Sequence, residues 1–367
     1  MQLERMLGGC EHPVFHTYWL ELHRKPPTPS NYVARRIWLE PPAMVVGGGW
    51  LRRFWRARGL RATTRFKWQL ARRRHGFEHP RAAYLVVYNN AQAEYARHIL
   101  EVLGIGRYVV HLMDLMERRG IDGLRGGAFE HLIRGATKVV AINSRLAAEL
   151  VEWRNEPIAQ FDMLAGFAAR SLASLPSNRE RTLLMTGALY DSEPVKMQFL
   201  REVFAPAWRQ FKKTPAGSDV RWRYAGASFP LLDRAVAAEV ENLGMVDNAT
   251  LRQITTSARC GFLPVEHHAS EHWRFSTPSR LLDFLTAGLP TIAPPNQGTA
   301  TGDFLATHGG FTIVRNQEEC LGALLRLFTD DARHRQQSEA ALLSAARYDP
   351  ETGRAYFQAI LADLYRG

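Results

Sequence analysis

Residues 275–290, FSTPSRLLDFLTAGLP, are followed at once by the strand-like sequence TIAP. Ser276 or Thr277 can cap a helix whose first turn contains Pro278. A stripe of leucine and phenylalanine side chains at helical spacing then runs to a stop at Gly288. The segment therefore predicts a helix that begins near residue 278 and leads into a buried strand.

The N-terminus of this predicted helix is suited to an anion. Its unbonded backbone N–H groups carry about half a positive charge, and Ser279 and Arg280 add a hydroxyl and a guanidinium in the first turn. Asp283 follows one turn later, where a carboxylate can accept hydrogen bonds from two sugar hydroxyls. The pattern predicts a phosphate and ribose site on one helix. The alternative is a helix that only packs on a parallel sheet.

The sequence LLDFLTAGLPTIAP resembles the donor-binding segment of GT-B nucleotide-sugar glycosyltransferases of the "group 1" type, whose usual form is K-L-x-E-Y-L-A-x-G-x-P-V-V-A. The resemblance implies that Asp283 replaces the glutamate that holds the nucleotide ribose and that Arg280 replaces the lysine. A second family glutamate, near the transferred sugar, corresponds to Phe275. Glu266 and Glu271 are the nearest acidic substitutes for it.

Softer matches to the same family cover nearly all of residues 80–367, whereas residues 1–80 match poorly. The segment GMVDNATLRQITTSA resembles a family pattern whose backbone contacts the nucleobase, which implies that Met245 and Val246 lie beside the base. Two predicted strands end at Gly187 and Gly226, where glycine permits close approach of the backbone to a ligand.

The family also has an arginine and a lysine that hold the donor pyrophosphate after the first of these strands. Leu189 stands at the arginine position, and Lys196 lies about two residues beyond the lysine position. The resemblance therefore implies a donor site in which Lys196 takes part and one of the usual cations is missing.

Alternating strand and helix patterns recur along the chain. Residues 82–150 alternate short apolar runs with helical patterns, which predicts a parallel sheet. The alternation begins again at residue 181, with a helix predicted over residues 231–243. Between them the polar stretch SLPSNRE, residues 174–180, has the composition of a linker.

We therefore predict an α/β fold with two Rossmann-like parallel-sheet domains facing a cleft, the GT-B arrangement that the resemblance implies. The predicted parts are an acceptor-binding domain over residues 1–175, a nucleotide-sugar-binding domain over residues 176–345, and a final helix, residues 346–367, long enough to cross back to the first domain.

Size and composition favour a globular, cytoplasmic protein. The chain has 367 residues, 46% of them hydrophobic, which is enough for two domains of ordinary size. It contains no apolar run of the length of a membrane span and no apolar leader segment. Three cysteines without a CxxC pair argue against a disulfide framework or a zinc site.

We expect sugar transfer without a metal ion or other cofactor, with the nucleotide sugar as substrate. The sequence has no Asp-x-Asp motif, whereas Ser279, Arg280 and the helix dipole can stabilise a departing pyrophosphate. An inverting reaction needs a general base, and Asp114, at the end of a predicted strand and close to His111, is the candidate. A retaining reaction does not need this base, and Asp114 can equally cap the next helix.

Basic and aromatic residues are interleaved between residues 41 and 77, where no acidic residue occurs. The net charge of +11 also indicates an anionic partner. A helix with aromatic and basic faces suits an anionic membrane surface, and its predicted contacts are Trp50, Arg52, Arg53, Trp55 and Arg56. A core helix with solvated arginines is the equal alternative. Single-stranded nucleic acid is disfavoured because no binding motif accompanies the charge.

The resemblance and the charge together predict a hexosyltransferase-like enzyme of polysaccharide biosynthesis, peripheral on the inner face of the membrane, with a glycan or lipid-linked acceptor. Two alternatives remain. One is a sugar-nucleotide 2-epimerase, which shares the two-domain architecture. The other is a non-catalytic scaffold that binds nucleotide sugars or glycans, since Phe275 and Leu189 replace expected polar residues.

Overall fold

The computed structural model describes residues 82–112, 115, 120–160, 175–176, 178–187, 198–227, 234–264, 273–348 and 350–366, and before them residues 15–17, 35–37, 65, 69 and 73. The chain forms two compact units. The first comprises Met1–Phe161 with Gly353–Gly367, and the second comprises Asp162–Thr352. The contacts thus divide the chain at residue 161, whereas the linker-like sequence lies at residues 174–180.

The first unit is built on parallel strands. Strands β1 (Phe15–Thr17) and β2 (Arg35–Ile37) form a parallel pair. A four-stranded parallel sheet follows in the order β3-β4-β5-β6. Its strands are β3 (Ala82–Val86), β4 (Arg107–Leu112), β5 (Lys138–Ala141) and β6 (Ala159–Gln160).

Among the described residues, three α-helices lie between the strands of this sheet, namely α1 (Asn90–Leu103), α2 (Ala128–Gly135) and α3 (Ser144–Arg154). Asparagine caps two of them: the side chain of Asn89 accepts from Gln92 N, and that of Asn143 accepts from Leu146 N. Helix α1 ends at Gly104, whose φ of 63° is the left-handed conformation that glycine allows. Strands and helices thus alternate in this unit as the sequence pattern predicts.

The second unit contains a six-stranded parallel sheet in the order β12-β11-β10-β7-β8-β9. Its strands are β7 (Glu180–Thr186), β8 (Arg221–Ala225), β9 (Val240–Gly244), β10 (Ala258–Phe262), β11 (Thr291–Ala293) and β12 (Phe311–Ile313). Aromatic side chains fill the space between sheet and helices: Phe204 stacks on Phe262 with ring centroids 3.6 Å apart, and Trp222 packs edge-on against both.

The remaining helices are α4 (Ala205–Lys212), preceded by a π-helical turn (Leu200–Phe204), α5 (Arg234–Ala237), α6 (Asn248–Ser257), α7 (Ser279–Thr286), α8 (Ala300–Thr307), α9 (Gln317–Thr329), α10 (Asp331–Ala345) and α11 (Pro350–Arg366). From Gly353 onward, α11 belongs to the first unit. Its Phe357 ring packs edge-on against Tyr84, with centroids 4.8 Å apart, and Asp363 O accepts a hydrogen bond from Arg107 Nη2.

The predicted α/β fold with parallel sheets is confirmed, and three local predictions are wrong. Residues 231–243 do not form one helix, because Val240–Gly244 is strand β9, paired with β8. Helix α7 begins at Ser279 and has Pro278 as its N-cap residue, with no side-chain cap. Arg179, in the stretch expected to be a linker, is buried with 4% of its surface exposed.

Candidate functional site

The strand order of the second unit reverses at β7. From β7 the chain moves to β8 and β9 on one side, and then returns to place β10, β11 and β12 on the other. In open parallel sheets, ligands bind beyond the carboxyl ends of the strands at such a reversal. The residues that directly follow β7 therefore lie where a ligand is expected to bind.

Gly187 directly follows β7 and is held by its neighbours. Its N–H donates to Ala225 O at 2.9 Å, and its carbonyl accepts a hydrogen bond of 2.7 Å from the Tyr224 hydroxyl. Its φ of 87° is a conformation that favours glycine. Gly226 lies so close that an added Cβ would overlap Gly187 O and the Tyr224 hydroxyl. The two predicted strand-end glycines are thus brought together.

The guanidinium of Arg280 lies against Gly187. A Cβ atom added to Gly187 would stand 3.0 Å from Cζ and Nη2 of Arg280 and 3.1 Å from Nε. Arg280 is half-buried in the first turn of α7. The structure therefore places a cation at the end of β7, where the strand order reverses.

Two further polar side chains of α7, those of Ser279 and Asp283, lie on the face that carries Arg280, whereas Thr286 is buried. Ser279 is exposed and Asp283 is half-buried, and both lie within one turn of Arg280 on the helix surface. The opposite face is at most 1% exposed and consists of Leu281, Leu282, Phe284 and Leu285. The helix thus presents a hydroxyl, a guanidinium and a carboxylate from one anchored element.

Helix α7 is anchored at its C-terminal end by the buried guanidinium of Arg179. Its Nη2 donates to the carbonyls of Ala287 and Gly288, each at 2.8 Å, and its Nη1 donates to Ala258 O at 3.0 Å. Carbonyls at the end of a helix lack partners within the helix. Arg179 therefore fastens the end of α7 to the start of strand β10.

The segment before α7 is also fixed through its backbone. Ser276 N donates to Trp273 O at 2.9 Å. Ser276 is 8% exposed, and its carbonyl accepts a bond of 2.8 Å from the Thr301 hydroxyl. Thr277 is half-buried and does not cap the helix. Neither predicted cap residue therefore caps α7.

Phe275, at the position of the family's second glutamate, is 1% exposed. The guanidinium of Arg274 lies 5.7 Å from the centroid of its ring. A carboxylate at this position would be buried, which is costly without a partner. The two proposed acidic substitutes, Glu266 and Glu271, and the two pyrophosphate positions, Leu189 and Lys196, lie outside the described residues.

The predicted nucleobase contact lies after strand β9. Gly244, with φ of 66°, turns the chain, and Met245 is then 76% exposed while Val246 is half-buried. Gly244 O also accepts a hydrogen bond of 2.9 Å from Gly226 N. A hydrogen bond thus links the loop that follows β9 to Gly226, which lies beside Gly187.

His111 is a buried residue of the first unit, with 1% of its surface exposed. Its Nδ1 is hydrogen-bonded to the Tyr84 hydroxyl at 2.7 Å. Burial lowers the pKa of His111 to about 3, and burial also raises the pKa of Tyr84. These properties favour a structural, neutral imidazole over a group in contact with substrate. Asp114 lies outside the described residues.

The predicted membrane contacts at residues 50–56 lie outside the described residues as well. None of the helices in the described part of the chain combines the length and hydrophobicity that crossing a bilayer requires. Within the same described part, no group of three or more histidine, cysteine, aspartate or glutamate side chains is placed to hold a metal ion.

Sequence reasoning missed helix α8 and its link to α7. Thr299 caps α8 by accepting from Gly302 N, and Ala300 N donates to Arg274 O at 2.8 Å. The signal was available, since Gly298 and Thr299 in the sequence NQGTATGDF are a turn residue and an N-cap residue before a helical segment.

Comparison with solved structures defines the class of fold. A structure of Anabaena HepE with UDP and glucose matches with a TM-score of 0.60 and 14% identity, over 90% of this chain and 87% of that one. Sucrose-phosphate synthase from Thermosynechococcus elongatus matches with a TM-score of 0.66 and 11% identity, over 99% and 92%. WaaG, a glycosyltransferase involved in lipopolysaccharide biosynthesis, matches with 0.57 and 12%, over 100% and 95%.

The chain therefore has the GT-B fold, as the sequence predicted. No protein-family model matches the sequence, and no curated protein matches it. At 11–14% identity the likeness concerns the fold.

Proposed function

We propose that the protein is a glycosyltransferase that moves a sugar from a nucleoside-diphosphate donor to a glycan or lipid-linked acceptor. The observation that carries this proposal is the contact of the Arg280 guanidinium with Gly187 where the strand order of the second unit reverses. Gly187 has no side chain to block a diphosphate from its backbone, and Arg280 supplies a positive charge beside it.

In this proposal the other polar groups of α7 complete the donor site. Ser279 adds a hydroxyl and the helix N-terminus adds its dipole beside the phosphates. Asp283, one turn further along the helix, accepts the ribose hydroxyls, and exposed Met245 with Val246 lies beside the base. The solved structure of HepE with UDP and glucose supports a nucleotide-sugar donor for this fold.

The reaction breaks the bond between the anomeric carbon of the donor sugar and the diphosphate oxygen. The acceptor hydroxyl oxygen forms the new bond to that carbon and gives its proton to a base or to solvent. Negative charge develops on the departing diphosphate, and Arg280, Ser279 and the helix dipole stabilise it. We propose that this set of groups acts without a metal ion, and that Asp114 is the base if the reaction inverts the anomeric configuration.

We further propose that the protein works in the cytoplasm on the inner face of the membrane. The support is the basic-aromatic sequence of residues 41–77, together with the fold shared with WaaG, which is involved in lipopolysaccharide biosynthesis. Sedimentation with anionic liposomes tests this part, because binding of this kind needs anionic lipid and weakens as salt rises. A wild-type protein that ignores anionic vesicles contradicts it.

A thermal-shift screen against UDP, GDP, ADP and CMP tests the donor site. Ligand binding to the folded state raises its stability by about 2.7 kcal/mol at a hundredfold excess over Kd, so one diphosphate should raise the Tm. CMP, a monophosphate, serves as the comparison ligand. No shift with any diphosphate contradicts the proposed function, whereas binding without turnover of any nucleotide sugar favours the scaffold alternative.

A further inference from the structure

We infer that Thr301 is a positioning residue for the diphosphate site, acting through the backbone that leads to Arg280. This inference rests on the proposed function and adds to it a residue from α8. Three observations support it: the bonds from α8 to the segment before α7, the construction of the loop that holds α8, and the position of Arg280 immediately after that segment.

Two hydrogen bonds run from the first turn of α8 to the segment before α7. The hydroxyl of Thr301, a residue with 0% exposure, donates to Ser276 O at 2.8 Å. The backbone N–H of Ala300 donates to Arg274 O at 2.8 Å. Consecutive residues of α8 thus bind carbonyls two residues apart in the segment before α7. The Thr301 bond is buried, and a hydrogen bond is stronger in the protein interior than in water.

The loop before α8 is built so that these two donors keep their place. The Thr299 hydroxyl donates to Asn296 O at 2.7 Å and accepts from Gly302 N at 3.1 Å. Asn296 is 0% exposed and has a φ of 45°, a conformation that few residues other than glycine adopt. A Cβ on Gly302 would overlap Asn296 O. The first turn of α8 is therefore held to Asn296, in the loop that follows strand β11.

The segment before α7, whose carbonyls bind α8, leads directly to Arg280. Ser276 is followed after one residue by Pro278, the N-cap of α7, and Arg280 lies in the first turn of that helix. Pro278 itself provides no side-chain cap, and the chain enters α7 through the backbone bonds to Trp273 and α8 and through the fixed φ of proline. Losing the Thr301 bond should let residues 276–280 shift, which moves the guanidinium relative to Gly187.

The test compares Thr301→Val, which keeps the shape of the side chain and removes the hydroxyl, with Thr301→Ser, which retains the hydroxyl. Thr255→Val is the matched control, because Thr255 is also 0% exposed in the second unit and its hydroxyl donates to Leu251 O within its own helix at 2.7 Å. Each valine variant loses the hydrogen bond from a threonine hydroxyl to a backbone carbonyl. Only one of these bonds holds the segment before Arg280.

Two readouts are measured on the full chain. Amide hydrogen exchange over residues 276–283 should be faster in Thr301→Val than in the wild type, and unchanged in Thr255→Val. The Kd of the tightest binder among UDP, GDP and ADP should rise by about three- to tenfold in Thr301→Val, return towards the wild-type value in Thr301→Ser and stay unchanged in Thr255→Val. In an Arg280→Ala background the Thr301→Val change should add nothing, since it acts through Arg280.

Unchanged exchange over residues 276–283 in Thr301→Val overturns the inference whatever the protein binds. Faster exchange with an unchanged Kd, or an undiminished effect in the Arg280→Ala background, also overturns it while leaving the proposed function standing. A wild-type protein that binds none of the three diphosphates overturns the proposed function, and the positioning role falls with it.

Discussion

The guanidinium of Arg280 and the backbone of Gly187 are in contact, so that a Cβ atom on Gly187 would lie 3.0 Å from Arg280 Cζ. Gly187 directly follows strand β7, and Arg280 lies in the first turn of α7, the helix that precedes strand β11. This contact places the Arg280 guanidinium where the strand order of the sheet reverses. A phosphate site in an open parallel sheet is expected at that position.

Replacing Arg280 with alanine should weaken the binding of nucleoside diphosphates by about tenfold or more, because a charge-assisted hydrogen bond typically contributes about 1.5–3 kcal/mol. Isothermal titration calorimetry measures the change. Arg326→Ala, at an exposed position of helix α9, is the control and should bind as the wild type does. Equal loss in both variants would indicate a general effect of net charge and contradict a local site.

Replacing Gly187 with alanine should both destabilise the protein and weaken diphosphate binding. The φ of 87° strains any residue with a Cβ, and the new methyl group would press on Arg280. Gly104→Ala separates the two effects, because Gly104 has a φ of 63° with no atom within 4 Å of the added Cβ. We expect each variant to lose about 1 kcal/mol in urea unfolding, and only Gly187→Ala to lose affinity.

Replacing Arg179 with methionine should reduce the free energy of unfolding by on the order of 3 kcal/mol, because three buried carbonyls lose their donor. Urea unfolding followed by tryptophan fluorescence gives the value. Arg209→Ala removes a surface ion pair with Glu239 and should cost between about 0 and 1 kcal/mol. A loss of that small size for Arg179→Met would show that helix α7 does not depend on this anchor.

Stability should fall as the medium becomes mildly acidic. Burial lowers the pKa of His111 to about 3 and that of His334 to about 4, whereas an unfolded histidine has a pKa of about 6.5. The folded state thus favours the neutral forms. The contribution of these two neutral histidines to the free energy of unfolding is complete above about pH 6.5. It is lost progressively as the pH falls towards 4 and 3.

Urea unfolding between pH 7.5 and 4.5 measures this dependence. His334 Nε2 is 2.8 Å from Arg259 O, so His334→Gln retains an N–H donor but cannot gain a proton. We expect a shallower loss of stability in this variant than in the wild type. Exposed His131 provides the control substitution, His131→Gln. An unchanged slope in His334→Gln would contradict the assignment of a neutral, buried imidazole.

The sequence predicted those elements whose signals are local. Helix α7 and strand β11 were foreseen because the apolar stripe, Gly288 and Pro290 define a helix, its stop and the next strand within a short segment. Strands β7 and β8 were foreseen as the predicted strands that end at Gly187 and Gly226. The positions of Arg280 and Asp283 on this helix were also predicted, whereas their role in donor binding stays a prediction.

The predictions from sequence failed where contacts with residues distant in the sequence determine the structure. Residues 240–244 have a helical pattern, but pairing with strand β8 makes them a strand, because tertiary contacts override weak local preferences. Arg179 lies in a polar stretch that resembles a linker, but its guanidinium donates to backbone carbonyls of residues 79 to 109 positions away in the sequence. The predicted cap at Ser276 failed because its backbone is held by Trp273 and Thr301, which places it before the helix.

The most direct test of the central claim is the release of nucleoside diphosphate from a panel of UDP-, GDP- and ADP-sugars, with a mixture of glycan acceptors and excess EDTA. If Arg280, beside Gly187, stabilises the departing diphosphate without a metal ion, the wild type should release diphosphate in EDTA. Arg280→Ala should do so at about a tenth of the rate or less. Equal rates in the two proteins, or release that stops in EDTA and returns with magnesium or manganese, would contradict the account.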